Sequence, residues 1–332
     1  MPQHPSGTAT RRRFVLATAG ATAALVAPWA RATTFPDRPV TFICPWAAGG
    51  TADLVMRALC TAAGRELGQT VVLENRAGAA GMLGVKQLVG AKPDGYTVGQ
   101  IPSSVTRFAQ LGSVQLDPIK DITYVARTSG QTLGIAVRSE SPWKTTGELV
   151  AAAKAAKGKL TYATSGVGGS THVGMEEFLM TADIQMNHIP YKGGAPALQD
   201  VLGGQVDVLA DSSSWAPHVK SGKMRLLSTW GERRTNDFPD VPTLREQGYD
   251  VVQDAPNGVG APKGLDPAVE RRLRTAFKAA VASPEFAKAC AQIDVPVMYL
   301  DGPEYEKTMV ESLQREAHLI AKLRLKELMA KS

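Results

Sequence analysis

Short apolar runs alternate with stretches of helical period along most of this chain. The runs Val40–Cys44, Val71–Glu74, Tyr96–Ile101, Leu133–Val137, Leu160–Thr164, Met186–Tyr191, Val206–Asp211 and Met224–Thr229 read as buried strands. Between them, Ala52–Leu67, Met82–Gly90, Thr146–Lys157, Thr171–Thr181 and Pro196–Leu202 carry the pattern of helices with one apolar face. That alternation predicts an α/β fold, with mainly parallel sheets flanked by helices. From Asp266 onward the pattern is helical. Its last stretch, Glu304–Met329, is long, amphipathic and charged, and is expected to brace a lobe.

Two strand-to-helix junctions carry glycine-rich turns about 120 residues apart. The first is Pro45-Trp46-Ala47-Ala48-Gly49-Gly50-Thr51-Ala52-Asp53. The second runs from Ala163 through Ser165, Gly166, Gly168, Gly169, Ser170 and Thr171 to His172. A strand that passes through glycines into a helix leaves N–H groups free at the positive end of the helix dipole, which suits a small anion. A third junction, Gly78-Ala79-Ala80-Gly81, has the same form. Ligands of open α/β sheets sit beyond the carboxyl ends of the strands. Turns this far apart therefore imply two lobes facing one cleft. The chain is expected to cross to the second lobe near Arg127–Thr132 and to return near Trp230–Val241. Lobe 1 then comprises 33–128 and 232–332, and lobe 2 comprises 129–231.

The beginning of the chain has a separate logic. Arg11-Arg12-Arg13 precedes a weakly apolar run and Ala30-Arg31-Ala32, the layout of an export signal with a small-residue cleavage site over residues 1–32. The paired arginines followed by Phe14 resemble a twin-arginine signal, with an Arg-rich general secretory peptide as the alternative. Either form places the mature protein in the periplasm. Removing four leader arginines lowers the basic count from 37 to 33, against 31 acidic residues. That balance argues against a nucleic-acid partner. Cys44, Cys60 and Cys290 form no C-x-x-C pair. They read as small buried hydrophobes, with a Cys44–Cys60 disulfide as the lesser alternative.

Further ordered blocks carry a resemblance. They include Phe35-Pro36-Asp37-Arg38-Pro39-Val40, Glu74-Asn75-Arg76-Ala77-Gly78, Pro93-Asp94-Gly95-Tyr96-Thr97, Pro190-Tyr191-Lys192-Gly193-Gly194, Gly204-Gln205-Val206-Asp207 and Pro239-Asp240-Val241-Pro242. With the two turns, they make the chain resemble the TctC or Bug family, the periplasmic solute receptors of tripartite tricarboxylate transporters. The resemblance runs from about Phe35 to Gln314. It implies a two-lobed, periplasmic-binding-protein-like fold of the Venus flytrap type (type II) that closes on a small organic acid. It also implies membrane transporter subunits as partners, a monomeric receptor, no cofactor and no catalysis. Ala48 stands where the family commonly has proline, and Trp46 where Phe or Tyr is usual.

Carried onto this chain, the family's turns make Ala48, Gly49, Gly50 and Thr51 ligand contacts in lobe 1, and Ser165, Gly166, Gly168, Ser170 and Thr171 in lobe 2. Ala79 and Ala80 are expected to add a third turn. Ser103, Ser104 and Asp211 end strands where they can reach the cleft. Asp53 either caps α-helical amides or meets a ligand ammonium. His172 contacts ligand or simply starts its helix, and no second histidine stands at metal-ligand spacing. Trp46 walls the cleft or packs on the neighbouring helix. Two rivals remain. Ser141-Pro142-Trp143-Lys144 fits the S-x-x-K pattern of serine hydrolases, without a K-T-G or G-x-S-x-G partner. Gly166-Val167-Gly168 opens like a dinucleotide loop, but Thr171 occupies the third glycine position. A receptor feeding a sensor kinase is the alternative to transport.

Overall fold

The structure is a computed structural model that describes residues 1–3 and 35–331. The export-signal reading falls almost wholly on residues 4–34, outside the described residues. From Phe35 the chain builds two sheets, each with its own core. The first lobe begins β1 (Val40–Cys44), α1 (Thr51–Leu67), β2 (Val71–Asn75), α2 (Met82–Val89), β3 (Thr97–Pro102), α3 (Val105–Gln110) and β4 (Ile122–Ser129). The second holds β5 (Leu133–Arg138), α4 (Thr146–Ala156), β6 (Thr161–Thr164), α5 (Ser170–Thr181), β7 (Asn187–Pro190), α6 (Gly194–Leu202), β8 (Val208–Ser212), α7 (Ala216–Lys220) and β9 (Met224–Thr229). The chain then returns with β10 (Asn257–Pro262), α8 (Pro267–Val281), α9 (Pro284–Gln292), β11 (Val297–Asp301), α10 (Gly302–Lys322) and α11 (Leu325–Lys331).

Strand order is β11-β4-β10-β3-β1-β2 in the first sheet and β7-β6-β8-β5-β9 in the second. The α/β reading holds, and each sheet is mixed. β1 pairs in parallel with β2 and β3, and β6 with β7 and β8, as βαβ units require. The strands that carry the chain between lobes run the other way: β10 is antiparallel to β3 and β4, and β5 to β8 and β9.

Two expectations need correction. The return to the first lobe comes later than Trp230–Val241. Trp230, Leu244, Val251 and Ala255 are buried in the second core, and Thr243 bridges to Thr229 beside β9. The backbone re-enters the first sheet only at Asn257, because the segment from 231 to 255 supplies apolar cover to the second lobe. The long C-terminal helix is also interrupted. Arg324 adopts a left-handed backbone (φ 49°), which ends α10 at Lys322 and turns α11 so that Leu325 is buried.

α10 starts with a capping box, Asp301 and Glu304, and its Tyr305 lies edge-on to Tyr124 of β4, 4.9 Å between ring centres. Its far end reaches the second lobe, where Lys322 pairs with Glu177 of α5 at 2.6 Å. The brace therefore spans both lobes. All three cysteines are buried and free. Among the described residues no helix is long and apolar enough to cross a membrane.

Candidate functional site

β1 ends at Cys44, and the chain turns through Pro45–Gly50 into α1. Asp53, in the first turn of that helix, is buried and organises the loop. Its Oδ2 accepts from the Gly49 N–H (2.9 Å) and Arg57 Nε (3.0 Å), and its Oδ1 from Asn75 Nδ2 (2.8 Å). Burial alone would raise the Asp53 carboxyl, but Arg57, the Gly49 amide and Asn75 outweigh it and hold the group below its ordinary range. Neither oxygen is left for a ligand ammonium, and Asp53 lies outside the cleft lining. The formal N-cap is Gly50, which makes no side-chain bond, and Asp53 holds the amide one residue before it.

The second turn is built in the same way by a histidine. His172 Nδ1 accepts from the Gly168 N–H at 3.0 Å, and its ring stacks on His188 with centres 4.0 Å apart. Burial, then His188 and Arg107, push the imidazole down to about 3, so it stays neutral and accepts. Ser165 Oγ pairs with Thr171 Oγ1 at 2.8 Å. Gly166 has φ 143°, and a Cβ there would stand 3.2 Å from Ala80 across the interface. Only glycine lets the two lobes meet so closely.

These turns come together. Trp46, Gly50, Thr51, Ser103 and Ser104 from the first lobe face Ser165, Ser170, Thr171 and Asp211 from the second across one narrow cleft. The gap is about 30 Å³, room for about two waters, so the lobes are closed on one another. Ala52 and Ser212, neighbours of expected contacts, also line it, with five residues that the sequence did not single out: Pro102, Gln131, Gly194, Ala255 and Asn257. Gln131 and Ala255 lie where the chain changes lobes, and Asn257 begins a strand whose glycines disguised it. A larger cavity of about 460 Å³ lies at the hinge around Thr132, Arg233 and Asp294, and neither turn lines it.

Several expected contacts lie elsewhere. Ala48 and Gly49 are exposed on the outer rim, and the Gly49 amide is spent on Asp53. Gly168 gives its N–H to His172 and its carbonyl to Arg107. Ala79 and Ala80 are absent from the cleft lining, and Ala80 packs on Gly166 as a lobe-to-lobe contact. The free amides thus belong to the first turns of α1 and α5, one step further into each helix than the glycines.

What faces the cleft is chemically one-sided. The helices α4, α8, α9 and α10 carry side-chain N-caps: Thr145, Asp266, Ser283 and Asp301. The helices α1, α2, α3, α5, α6 and α7 have none, and of these α1, α5 and α6 bring their first residues, Thr51, Ser170 and Gly194, into the cleft lining. The α1 and α5 N–H groups point into the gap among hydroxyls and the Trp46 indole, whose Nε1 is buried and unpartnered, as is Thr51 Oγ1. Among the described residues no lysine, arginine or histidine lines the cleft. Asp211 is its one charged side chain. Burial pushes the Asp211 carboxyl up to about 7, and the Ser212 amide with the Ser214 and Ser165 hydroxyls only partly offsets this. Because the folded value is raised, the stability tied to this group is complete below about pH 4 and is lost as pH rises through about 7. Asp211→Asn is therefore expected to raise the melting temperature at pH 8 by several degrees and to leave it unchanged at pH 4. Equal shifts at both pH values would refute that burden.

Ser141 sits in a bend, and α4 begins only at Thr146, so Ser141 and Lys144 do not share the helical turn that S-x-x-K chemistry needs. Among the described residues, no group of His, Cys, Asp and Glu is placed to hold a metal ion.

Two α/β lobes closed over opposed, uncapped helix ends define a solute-binding protein of the two-lobed type. The comparison with family models agrees: residues 55–325 match the tripartite tricarboxylate transporter family receptor, TctC. The chain belongs to that family, whose members are receptors acting outside the cytoplasm. It is 40% identical to the UPF0065 protein in the gbd 5' region of Cupriavidus necator, over 95% of this chain and 98% of that one. The periplasmic binding protein BugD is similar in structure, with TM-score 0.83, 29% identity, 88% of this chain and 99% of that one. MatC from Rhodopseudomonas palustris, solved with bound malate, gives TM-score 0.77 and 26% identity over 89% of this chain and 100% of that one.

Proposed function

We propose that this protein is an exported periplasmic receptor that captures a small carboxylate between its lobes and delivers it to a membrane carrier of the tripartite tricarboxylate type. It works as a monomer and does no chemistry on its guest. The observation that carries the reading is the pair of uncapped helix N-termini, α1 and α5, facing each other across one cleft without a cationic side chain. Such ends favour negative charge through amide donors and the helix dipole together. Malate in the similar MatC structure supports a carboxylate of comparable size. Amide and hydroxyl donors to a charged group contribute roughly 1.5–3 kcal/mol each. A few of them in a closed cleft are enough for micromolar binding, about −8 kcal/mol. A guest favours the closed form only as far as it contacts both lobes better there.

Thermal melting with a panel of dicarboxylates, tricarboxylates, aromatic acids and amino acids tests this. An acid at 100 times its dissociation constant adds about 2.7 kcal/mol of stability. The melting temperature should then rise by roughly 5–10 °C, with the acid recovered unchanged. A panel that leaves the melt unmoved, or an acid that is consumed, would overturn the receptor reading.

A further inference from the structure

A carboxylate is an odd wall for an anion site. Asp211 stands one residue before the end of β8, is 1% exposed and lines the cleft opposite the α1 turn. Its Oδ2 is held: Ser214 Oγ donates to it at 3.3 Å, and it abuts Gly194, where a Cβ would lie only 2.0 Å away. Any larger residue at that position would displace the carboxylate. Its Oδ1 is buried and makes no hydrogen bond of good geometry among the described residues, although the Ser212 amide and the Ser165 hydroxyl stand near the carboxyl. The other unpartnered polar atoms at the cleft, Trp46 Nε1 and Thr51 Oγ1, are able to donate. The cleft thus offers donors on several sides and one strong, unsatisfied acceptor. A buried acceptor left without a donor is costly, and a solute that supplies one removes that cost.

Resting on the receptor reading above, we propose that Asp211 selects, among small carboxylates, those that carry a hydrogen-bond donor on the carbon skeleton, a hydroxyl or an ammonium group, which Oδ1 accepts. The solute's carboxylate faces the α1 and α5 amides, and its hydroxyl or ammonium faces Asp211. A plain carboxylate of the same length leaves Oδ1 unpaired and brings its charge toward a second carboxylate with no cation between them. Discrimination of this kind is strong, because a site built around a polar group rejects the analogue that lacks it.

Matched sets that differ in one substituent test the inference by titration calorimetry: succinate, malate and aspartate; glutarate, 2-hydroxyglutarate and glutamate; phenylacetate, mandelate and phenylglycine. In at least one set the hydroxy or amino member should bind tenfold or more tighter than the plain acid. Asp211→Ala should bring members of that set within about twofold of one another, the hydroxy or amino member losing its advantage. Asp211→Asn, which conserves shape, separates the two donors: a hydroxyl preference survives it, and an ammonium preference falls by tenfold or more. Plain acids that bind as tightly as their partners would overturn the role of Asp211 and leave the receptor standing. So would a preference that persists in Asp211→Ala. Silence from every member of every set would overturn the carboxylate receptor itself, and this inference with it.

Discussion

Replacing Arg107 with methionine should lower the melting temperature by on the order of 10 °C and open the molecule. Arg107 lies on α3 in the first lobe and is only 2% exposed. Its guanidinium donates to both oxygens of Glu316 on α10, at 2.6 and 2.9 Å, and to the Gly168 carbonyl of the second lobe at 3.0 Å. One planar cation therefore ties the strap helix to the very turn that faces the cleft, in the forked geometry that lysine cannot reproduce. Removing one partner of a buried pair leaves the other charge uncompensated, which costs about 3–5 kcal/mol. For a protein of this size each kcal/mol moves the midpoint by roughly 2–4 °C. Small-angle scattering should show the variant's radius of gyration rising above that of the wild type without added acid. Glu316→Gln, which keeps an acceptor, should fall between the two. A melting temperature within about 2 °C of wild type, or an unchanged radius, would show that the latch does not hold the lobes.

The strap has a second attachment that makes the effect graded. Lys322 and Gln253 both reach Glu177 of α5, at 2.6 and 2.8 Å, so the end of α10 stays moored when Arg107 is lost. Met329 of α11 covers Gly168 from outside, close enough that a Cβ there would meet its sulfur at 2.9 Å. Closure of the cleft and the seating of the C-terminal helices are thus physically one event, because both engage the carbonyl and the outer face of a single turn.

The sequence pattern revealed the parts of this molecule that obey local rules. Strands followed by helices showed their period, and the glycines at β1–α1 and β6–α5 marked the turns. Local rules fail for β10, Asn257-Gly258-Val259-Gly260-Ala261-Pro262, which the apolar pattern does not pick out. It is in fact a fully buried strand between β3 and β4. Its glycines admit neighbours: a Cβ on Gly258 would fall 2.3 Å from Tyr305, and one on Gly260 2.7 Å from Ile101. Strand propensity measures how a side chain packs on its neighbours, and here the neighbours take that space. β4 hides for another reason. Arg127, Thr128 and Ser129 look like surface, yet Thr128 Oγ1 donates to the Asn257 carbonyl and Arg127 Nε to the Met298 carbonyl. The roles of Asp53 and His172 were equally out of reach. Each accepts from a backbone amide of its own turn, and only the fold shows that both amides are taken. In consequence the amides left without a partner at the cleft are those of the first helical residues and not of the glycines before them.

That shift sharpens the remaining large prediction. Thr51→Asp and Ser170→Asp should each abolish binding of the preferred acid while the protein stays folded. Thr51 and Ser170 are the first residues of α1 and α5, and both line the cleft. An aspartate at either position places a fixed charge where the solute's carboxylate is expected, and the amides that would have held the guest hold the side chain. Acidic residues in a first helical turn stabilise helices, so the fold should tolerate the change. Two like charges about 4 Å apart repel by about 4 kcal/mol at an effective dielectric constant near 20. At 1.4 kcal/mol per factor of ten, that weakens binding by about a thousandfold. Ser283→Asp, at the capped start of α9 and outside the cleft, carries the same charge to a comparable helix end and should leave affinity unchanged. If both cleft variants bind as the wild type does, the guest sits somewhere other than between these two helix ends. If Ser283→Asp weakens binding as much as they do, the effect is one of net charge alone.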